Sequence, residues 1–234
     1  MVKESTFRFR QFEITQDDRI HKVGTDGVLI GAWANVLPSD QNILDIGTGT
    51  GLIALMMAQR THAMIDTIEP DLLALEIATK NILGSPWPDR IRLHSGKLQE
   101  VRLNQTFDRI ISNPPFFFQR LIPPEENRKI QRHADALPFD VLASHCARLL
   151  KKSGSVSLIL PVEESHQASK SFNNHNLFPA RITEVSSRTD HAPIRFLQEY
   201  RFGLQECERT QLTLTNESGA RSAEYSALTS DFYL

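Results

Sequence analysis

Asn113-Pro114-Pro115-Phe116 is the stretch with the most chemistry in it. Two consecutive prolines stiffen the backbone and donate no hydrogen bonds, which leaves the Pro114 carbonyl facing outward. The Asn113 side-chain oxygen is a second acceptor beside it. A pair of fixed acceptors suits an exocyclic amine on an aromatic base, whose lone pair is otherwise delocalised into the ring. Each oxygen takes one N–H and draws the nitrogen toward tetrahedral geometry, so that its lone pair can attack an electrophilic carbon. The arrangement is complete only near the transition state and therefore accelerates the step. Phe116 would stack on the extruded base. No metal and no strong base is required, because the proton leaves after the nitrogen has become cationic. In isolation the same residues also read as a proline-capped strand end followed by core phenylalanines Phe116, Phe117 and Phe118, and context must decide.

That context begins upstream, at Asp45-Ile46-Gly47-Thr48-Gly49-Thr50-Gly51. Glycines at 47, 49 and 51 permit a tight strand-to-helix turn and let the backbone approach a ligand, with free helix N–H groups behind it. A dinucleotide fingerprint needs a third glycine where Leu52 stands, so a nicotinamide site is disfavoured. The run fits a cradle for the methionine part of S-adenosylmethionine, with Asp45 orienting the ammonium directly or through water. Glu69, eighteen residues after Gly51, ends the next strand and can accept from both ribose hydroxyls of a nucleoside. His94-Ser95-Gly96, after the third strand, falls where the adenine would lie, with Ser95 the candidate contact.

The elements that must position these residues follow from hydrophobic period. Strands are expected at Asn42–Ile46, Met64–Glu69, Ile91–His94, Phe107–Ser112, Ser155–Leu160, Arg181–Ser186 and Phe196–Phe202. Helices are expected at Leu52–Gln59, Asp71–Leu83, Pro138–Leu150 and Val162–Phe172, with Asp71 an N-cap and Gly84 and Gly154 stops. The alternation predicts an α/β, Rossmann-like fold: a seven-stranded, mostly parallel sheet with helices on both faces. The connection Ser187–Arg195 is too short for a crossover helix, so the last strand should run antiparallel, the topology of class I methyltransferases. Residues 1–37, with Phe7, Phe9 and Phe12, form an extension laid over the core as a strand or hairpin and capping the cofactor pocket. Residues 117–132 read as a loop at the strand ends, and Leu204–Tyr233 as a polar tail whose Phe232, Tyr233 and Leu234 dock back.

Composition narrows the remainder. A chain of 234 residues with 40% hydrophobic content supports a single domain over 1–234. It holds no run of roughly 18 apolar residues that could span a membrane. Lys3, Glu4, Arg8 and Arg10 interrupt the start where a secretory signal would be apolar. Cys146 and Cys207 form neither a metal-ligand spacing nor a disulfide framework, which fits a cytoplasmic protein without a structural metal. With 26 basic and 28 acidic residues, nucleic acid can be held only by local basic patches.

Taken together these residues resemble the bacterial tRNA1(Val) adenine-N6 methyltransferases, which modify the adenine 3′ of the anticodon. The resemblance runs over nearly the whole chain. It includes the segment Lys22 to Trp33, the segment Arg132-His133-Ala134-Asp135-Ala136-Leu137-Pro138-Phe139, and the terminal Asp231-Phe232-Tyr233-Leu234. Phe116 stands where several relatives have tyrosine, and both stack. The resemblance implies S-adenosylmethionine as cofactor and tRNA as partner; no metal and no membrane are expected, the oligomeric state is left open, and a monomer is the expectation. It sets Lys22, Gly24 and Thr25 near the cofactor carboxylate or closing the pocket, alongside Asp45, Gly47, Gly49, Gly51, Glu69, Ser95 and Asn113. Asn113, Pro114, Pro115 and Phe116 are then the catalytic set. Candidate RNA contacts are Arg120, Arg128, Lys129 and Arg132, with Arg195 at the groove edge. Arg8 and Arg10 either touch RNA or form a solvated strand face. A protein glutamine N5-methyltransferase faces the same nitrogen chemistry, but would normally bring a helical recognition domain ahead of the first core strand. A non-catalytic RNA-binding scaffold of this fold is opposed by the intact Asn113-Pro114-Pro115-Phe116.

Overall fold

The computed structural model describes residues 4–17, 19–20, 23–114 and 137–234. Lys22, Pro115, Phe116, Arg120, Arg128, Lys129, Arg132 and His133 lie outside them. The chain enters through strands β1 (Glu4–Arg8) and β2 (Glu13–Asp17), an antiparallel hairpin, and helix α1 (Thr25–Trp33). Strand β3 (Asn42–Ile46), helix α2 (Leu52–Arg60), strand β4 (Met64–Glu69), helix α3 (Leu72–Leu83) and strand β5 (Ile91–Ser95) follow. Then come β6 (Phe107–Ser112), α4 (Phe139–Leu149), β7 (Leu150–Leu160), α5 (Val162–Asn174), β8 (Leu177–Arg188), β9 (Pro193–Phe202), β10 (Glu208–Thr215) and α6 (Ala223–Thr229).

The main sheet runs β10-β8-β9-β7-β6-β3-β4-β5, and β9 alone is antiparallel to its neighbours. Its central strands are continuous apolar runs because both faces are covered. Leu44, Ile110 and Leu158 pack with α4 and α5 on one face, while Ile43, Ile111 and Ile159 pack with α1 and α2 on the other. Phe9, Phe12 and Ile14 of the hairpin region belong to that second core, together with Tyr225 and Phe232 from the C-terminus. Asp71 caps α3 by accepting from the Leu73 and Ala74 amides, and Gly84 ends it, as the sequence predicts. Half-buried arginines close two helix ends: Arg60 donates to the Gly31 and Ala34 carbonyls, and Arg90 to that of Ala58.

Four expectations need correction. The sheet has eight strands, not seven, because β10 adds parallel to β8 at the edge. Its Glu-Arg-Thr-Gln start is exposed, with the nearly buried Leu212 the main anchor, so an edge strand looks like a polar tail. The antiparallel strand is therefore not last in sequence. Gly154 does not stop a helix: it lies inside β7, which starts at Leu150, and the helix ends at Leu149. A Cβ there would stand 2.7 Å from the Asp108 carbonyl oxygen, so the glycine serves an irregularity in the β6–β7 pairing. Arg195 is not in the connection but within β9, where Nε donates to Asp26 at 2.8 Å.

Candidate active site

The sheet order reverses between β3 and β6, and the crevice past the carboxyl ends of these two strands is where such folds bind ligands. Ile46 pairs with Ser112 and with Ile68, so Gly47 and Asn113 emerge side by side, with Glu69 one strand away. The Ser112 hydroxyl donates to the Ile46 carbonyl at 2.7 Å and locks the two strand ends together.

Gly47, Gly49 and Gly51 have φ of 75°, 57° and 85°, a left-handed backbone that explains three glycines in five residues. A Cβ at Gly47 or Gly49 would meet nothing within 4 Å, whereas at Gly51 it would touch Ala78 of α3. The first two therefore leave open space for a ligand, and the third packs the loop down. The Gly47 and Thr48 amides donate to the Ile68 carbonyl, fixing the loop on β4. Gly51 is the N-cap of α2, with no side-chain cap and no acidic residue in the first turn.

Beside it stands a second helix start. Gly27 of α1 faces Leu52 of α2, and Gly31 faces Met56, the same four-residue step on each, so the helices run parallel. Both N-termini thus point to the crevice. The N-cap of α1 is Gly24, again without a side-chain cap, and Gly24 and Thr25 are exposed there. Thus Gly24 and Thr25, singled out from sequence, reach the same end of the molecule as the glycine loop.

Two buried oxygens in the crevice have no hydrogen-bond partner among the described residues. Asp45 is fully buried; its Oδ2 accepts from the Thr48 hydroxyl at 2.6 Å, while Oδ1 is unpaired. Asn113 Oδ1 is likewise buried and unpaired among the described residues. Native proteins rarely leave such acceptors without a partner, whether protein, water or ligand, so two of them together in one crevice mark a place where a polar ligand can be received. Burial pushes the Asp45 carboxyl up to about 7; the Thr48 hydroxyl restrains the shift, and the nearby Glu69 charge adds to it. Glu69 is nearly buried, and its carboxyl is also raised by burial. Its Oε2 accepts from the Gly49 amide at 2.8 Å and Oε1 from the Asp71 amide at 2.9 Å. Each oxygen keeps a further lone pair, so Glu69 holds the loop and can still accept from a ligand. Ser95 pairs with Glu69 in register and is exposed at the end of β5. Pro114 is buried at the strand end.

The remaining candidates are scattered. Arg10 donates from Nε to the Tyr233 carbonyl at 2.6 Å and borders a surface depression with Gln59 and Arg60. Those residues form the last turn of α2, the end away from the glycine loop. Arg8 pairs on the surface with Glu13 at 3.0 Å. Sequence reasoning missed Thr48, Ser112 and Asn81. The last is a polar residue on the buried stripe Ala74, Ile77, Ala78, Asn81, Ile82 of α3, a signal visible in the helical period. Among the described residues no group of three or more His, Cys, Asp or Glu is placed to hold a metal ion, and no helix is long and apolar enough to cross a membrane.

Comparison with known proteins bears directly on this crevice. The family model "Methyltransferase small domain" matches residues 28–138, which include every glycine of the loop and Asn113. A tRNA1(Val) (adenine(37)-N6)-methyltransferase of Phocaeicola vulgatus is 42% identical over 228 residues, covering 97% of each chain. One of the same name from Christiangramia forsetii is 41% identical over 239 aligned positions, covering 100% of this chain and 99% of the relative. Among solved structures, a predicted O-methyltransferase from Agrobacterium tumefaciens superposes with a TM-score of 0.69 at 16% identity, covering 88% of this chain and 96% of that one. A glycopeptide N-methyltransferase complexed with S-adenosyl-L-methionine superposes at 0.56 and 13% identity, covering 77% of this chain and 100% of that one. At these identities the structural likeness speaks for the fold alone.

Proposed function

Because the chain belongs to the tRNA1(Val) (adenine(37)-N6)-methyltransferase family, we propose that it methylates N6 of adenine 37 in tRNA1(Val), with S-adenosylmethionine as the methyl donor. When bound, the donor supplies an electrophilic methyl on its sulfonium. The observation that carries the reading is the unpaired, buried Asn113 Oδ1 beside a glycine loop whose Gly47 and Gly49 face open space.

Each group in the crevice then has one task. Asp45 Oδ1, unpaired among the described residues, would accept from the methionine ammonium. The uncapped starts of α2 and α1, with Gly24 and Thr25, face the carboxylate, and Lys22 adds charge there. Glu69 receives the ribose hydroxyls on its remaining lone pairs, and Ser95 borders the adenine. Asn113 Oδ1 and the Pro114 carbonyl each accept one N–H of the target amine and hold its lone pair toward the methyl. The proton is lost to solvent afterwards, so no metal and no buried base is needed. Phe116 stacks on the flipped base, whose place in an anticodon loop lowers the cost of extrusion. Arg120, Arg128, Lys129 and Arg132, on the segment that follows Phe116, are assigned to RNA phosphates. Arg195 is assigned to anchoring α1 through Asp26. The described residues of the N-terminal extension belong to a single unit with the rest, supported by the core that Phe9, Phe12 and Ile14 share with α1 and α2. The protein acts as a monomer in the cytoplasm, where the tRNA is found.

The test is methyl transfer from labelled donor to tRNA1(Val) transcripts, read by mass spectrometry of digested nucleosides. N6-methyladenosine should form at position 37 and vanish when that base is guanosine. Label appearing at another position, or only in a protein glutamine, would overturn the assignment.

A further inference from the structure

Asn81 joins two parts of the molecule that are far apart in sequence. Its side chain is buried, with 4% exposure, on the apolar stripe of α3, where a carboxamide is costly unless fully bonded. Nδ2 donates to the Thr50 carbonyl at 2.8 Å and to the Thr15 carbonyl at 2.9 Å, while Oδ1 accepts from the Thr15 amide at 2.8 Å. Both amide hydrogens and the oxygen are thus used.

The two partners matter for what they adjoin. Thr50 lies between Gly49 and Gly51, both at positive φ, so its carbonyl direction sets the last peptide before α2 begins. Glycines on both sides leave that peptide little intrinsic preference, and an external hydrogen bond must hold it. Thr15 lies in β2, and the next residue, Gln16, accepts the Val23 amide on Oε1 at 2.8 Å, just ahead of Gly24 and Thr25. One carboxamide therefore fixes the glycine loop against the strand that delivers the start of α1.

We propose that Asn81 is a positioning residue that couples the N-terminal hairpin to the glycine loop, so that cofactor binding and hairpin docking form one cooperative unit. The proposal rests on the cofactor reading given above. Asn81 touches neither donor nor base in that reading; it acts on affinity through Thr50.

The experiment compares Asn81→Ala with Lys80→Ala. Lys80 is the adjacent residue and ties the same helix to the hairpin through an exposed pair with Glu4 at 2.9 Å, without reaching the loop. S-adenosylhomocysteine binding is measured by calorimetry, and steady-state kinetics are run with tRNA. Asn81→Ala should raise Kd and the donor KM on the order of fivefold, about what the one hydrogen bond to the Thr50 carbonyl carries, with kcat at saturation nearly kept. Lys80→Ala should leave both constants in place. Asn81→Asp, which retains the acceptor for Thr15 but loses both donors, should bind as weakly as the alanine variant. A folded Asn81→Ala protein with unchanged Kd would overturn the coupling. If that variant does not fold, hydrogen exchange on the wild type decides: the homocysteine analogue must slow exchange in residues 13–17 as well as in 47–51. Protection confined to the loop would overturn the proposal. A wild type that bound no cofactor at all would instead refute the functional reading.

Discussion

Cofactor binding should release a proton, and Asp45 should be its source. In the free protein burial holds this carboxyl at about 7, so it is largely neutral below that pH. An ammonium group against Oδ1 needs the anion, so binding must expel the proton wherever the free form carries it. Apparent affinity then falls with acidity: from pH 8 to pH 6, Kd should rise about tenfold, and about 0.9 proton should be released per site at pH 6. Titration calorimetry with S-adenosylhomocysteine in buffers of different ionisation enthalpy measures both. The stability side has the opposite sense. Folding raises this carboxyl from an ordinary 3.8, so its penalty is absent below about pH 4 and complete above about pH 7. The span corresponds to roughly 4 kcal/mol, an upper figure since the buried site can relax. Asp45→Asn should therefore melt several degrees higher than wild type at pH 8 without cofactor, match it near pH 4, and show no cofactor-induced shift. Glu69, also raised by burial, can broaden the profile but not reverse it. A Kd that is flat from pH 6 to pH 8 with no proton release would refute the reasoning.

Other substitutions separate binding from packing. Gly49→Ala places a side chain at φ of 57° in space that none of the described residues fills. Backbone strain of roughly 1–2 kcal/mol and intrusion into the cradle should raise the donor KM while the fold persists. An unchanged KM would show that the cradle lies elsewhere. Gly31→Ala tests the α1–α2 contact: its Cβ would stand 2.5 Å from Met56 Sδ, in a fully buried position. Urea denaturation should show a loss of about 1–3 kcal/mol, and an unaltered midpoint would mean the helices are not held that closely.

Much of the sheet and most of the crevice were legible because their signals are local. β3, β4 and β6 match their expected bounds since apolar runs end at Gly47, Pro70 and Asn113-Pro114. The glycine loop, Glu69 and Asn113 stand at strand ends, where residue type alone suggests chemistry. β10 was hidden because an edge strand needs little apolar surface, and Gly154 misled because glycine marks helix stops and bulges alike. Helix α1 escaped for a different reason: it is buried on all sides from Gly27 to Trp33, so it has no amphipathic period to read. Asn81 and Ser112 act through pairings with Thr15, Thr50 and Ile46, which only the tertiary fold creates. Arg10 carried two readings by composition, an RNA contact or a solvated strand face, and its neighbours Gln59 and Tyr233 put it at the end of α2 away from the glycine loop.

The central claim is that Asn113 Oδ1 acts on the target nitrogen in the transition state. Single-turnover methylation of tRNA1(Val) by Asn113→Ala, with the homocysteine analogue's Kd measured on the same protein, tests it most directly. The rate of the chemical step should drop on the order of 100-fold to 1000-fold while the analogue still binds. An undiminished rate in a folded variant would contradict the account.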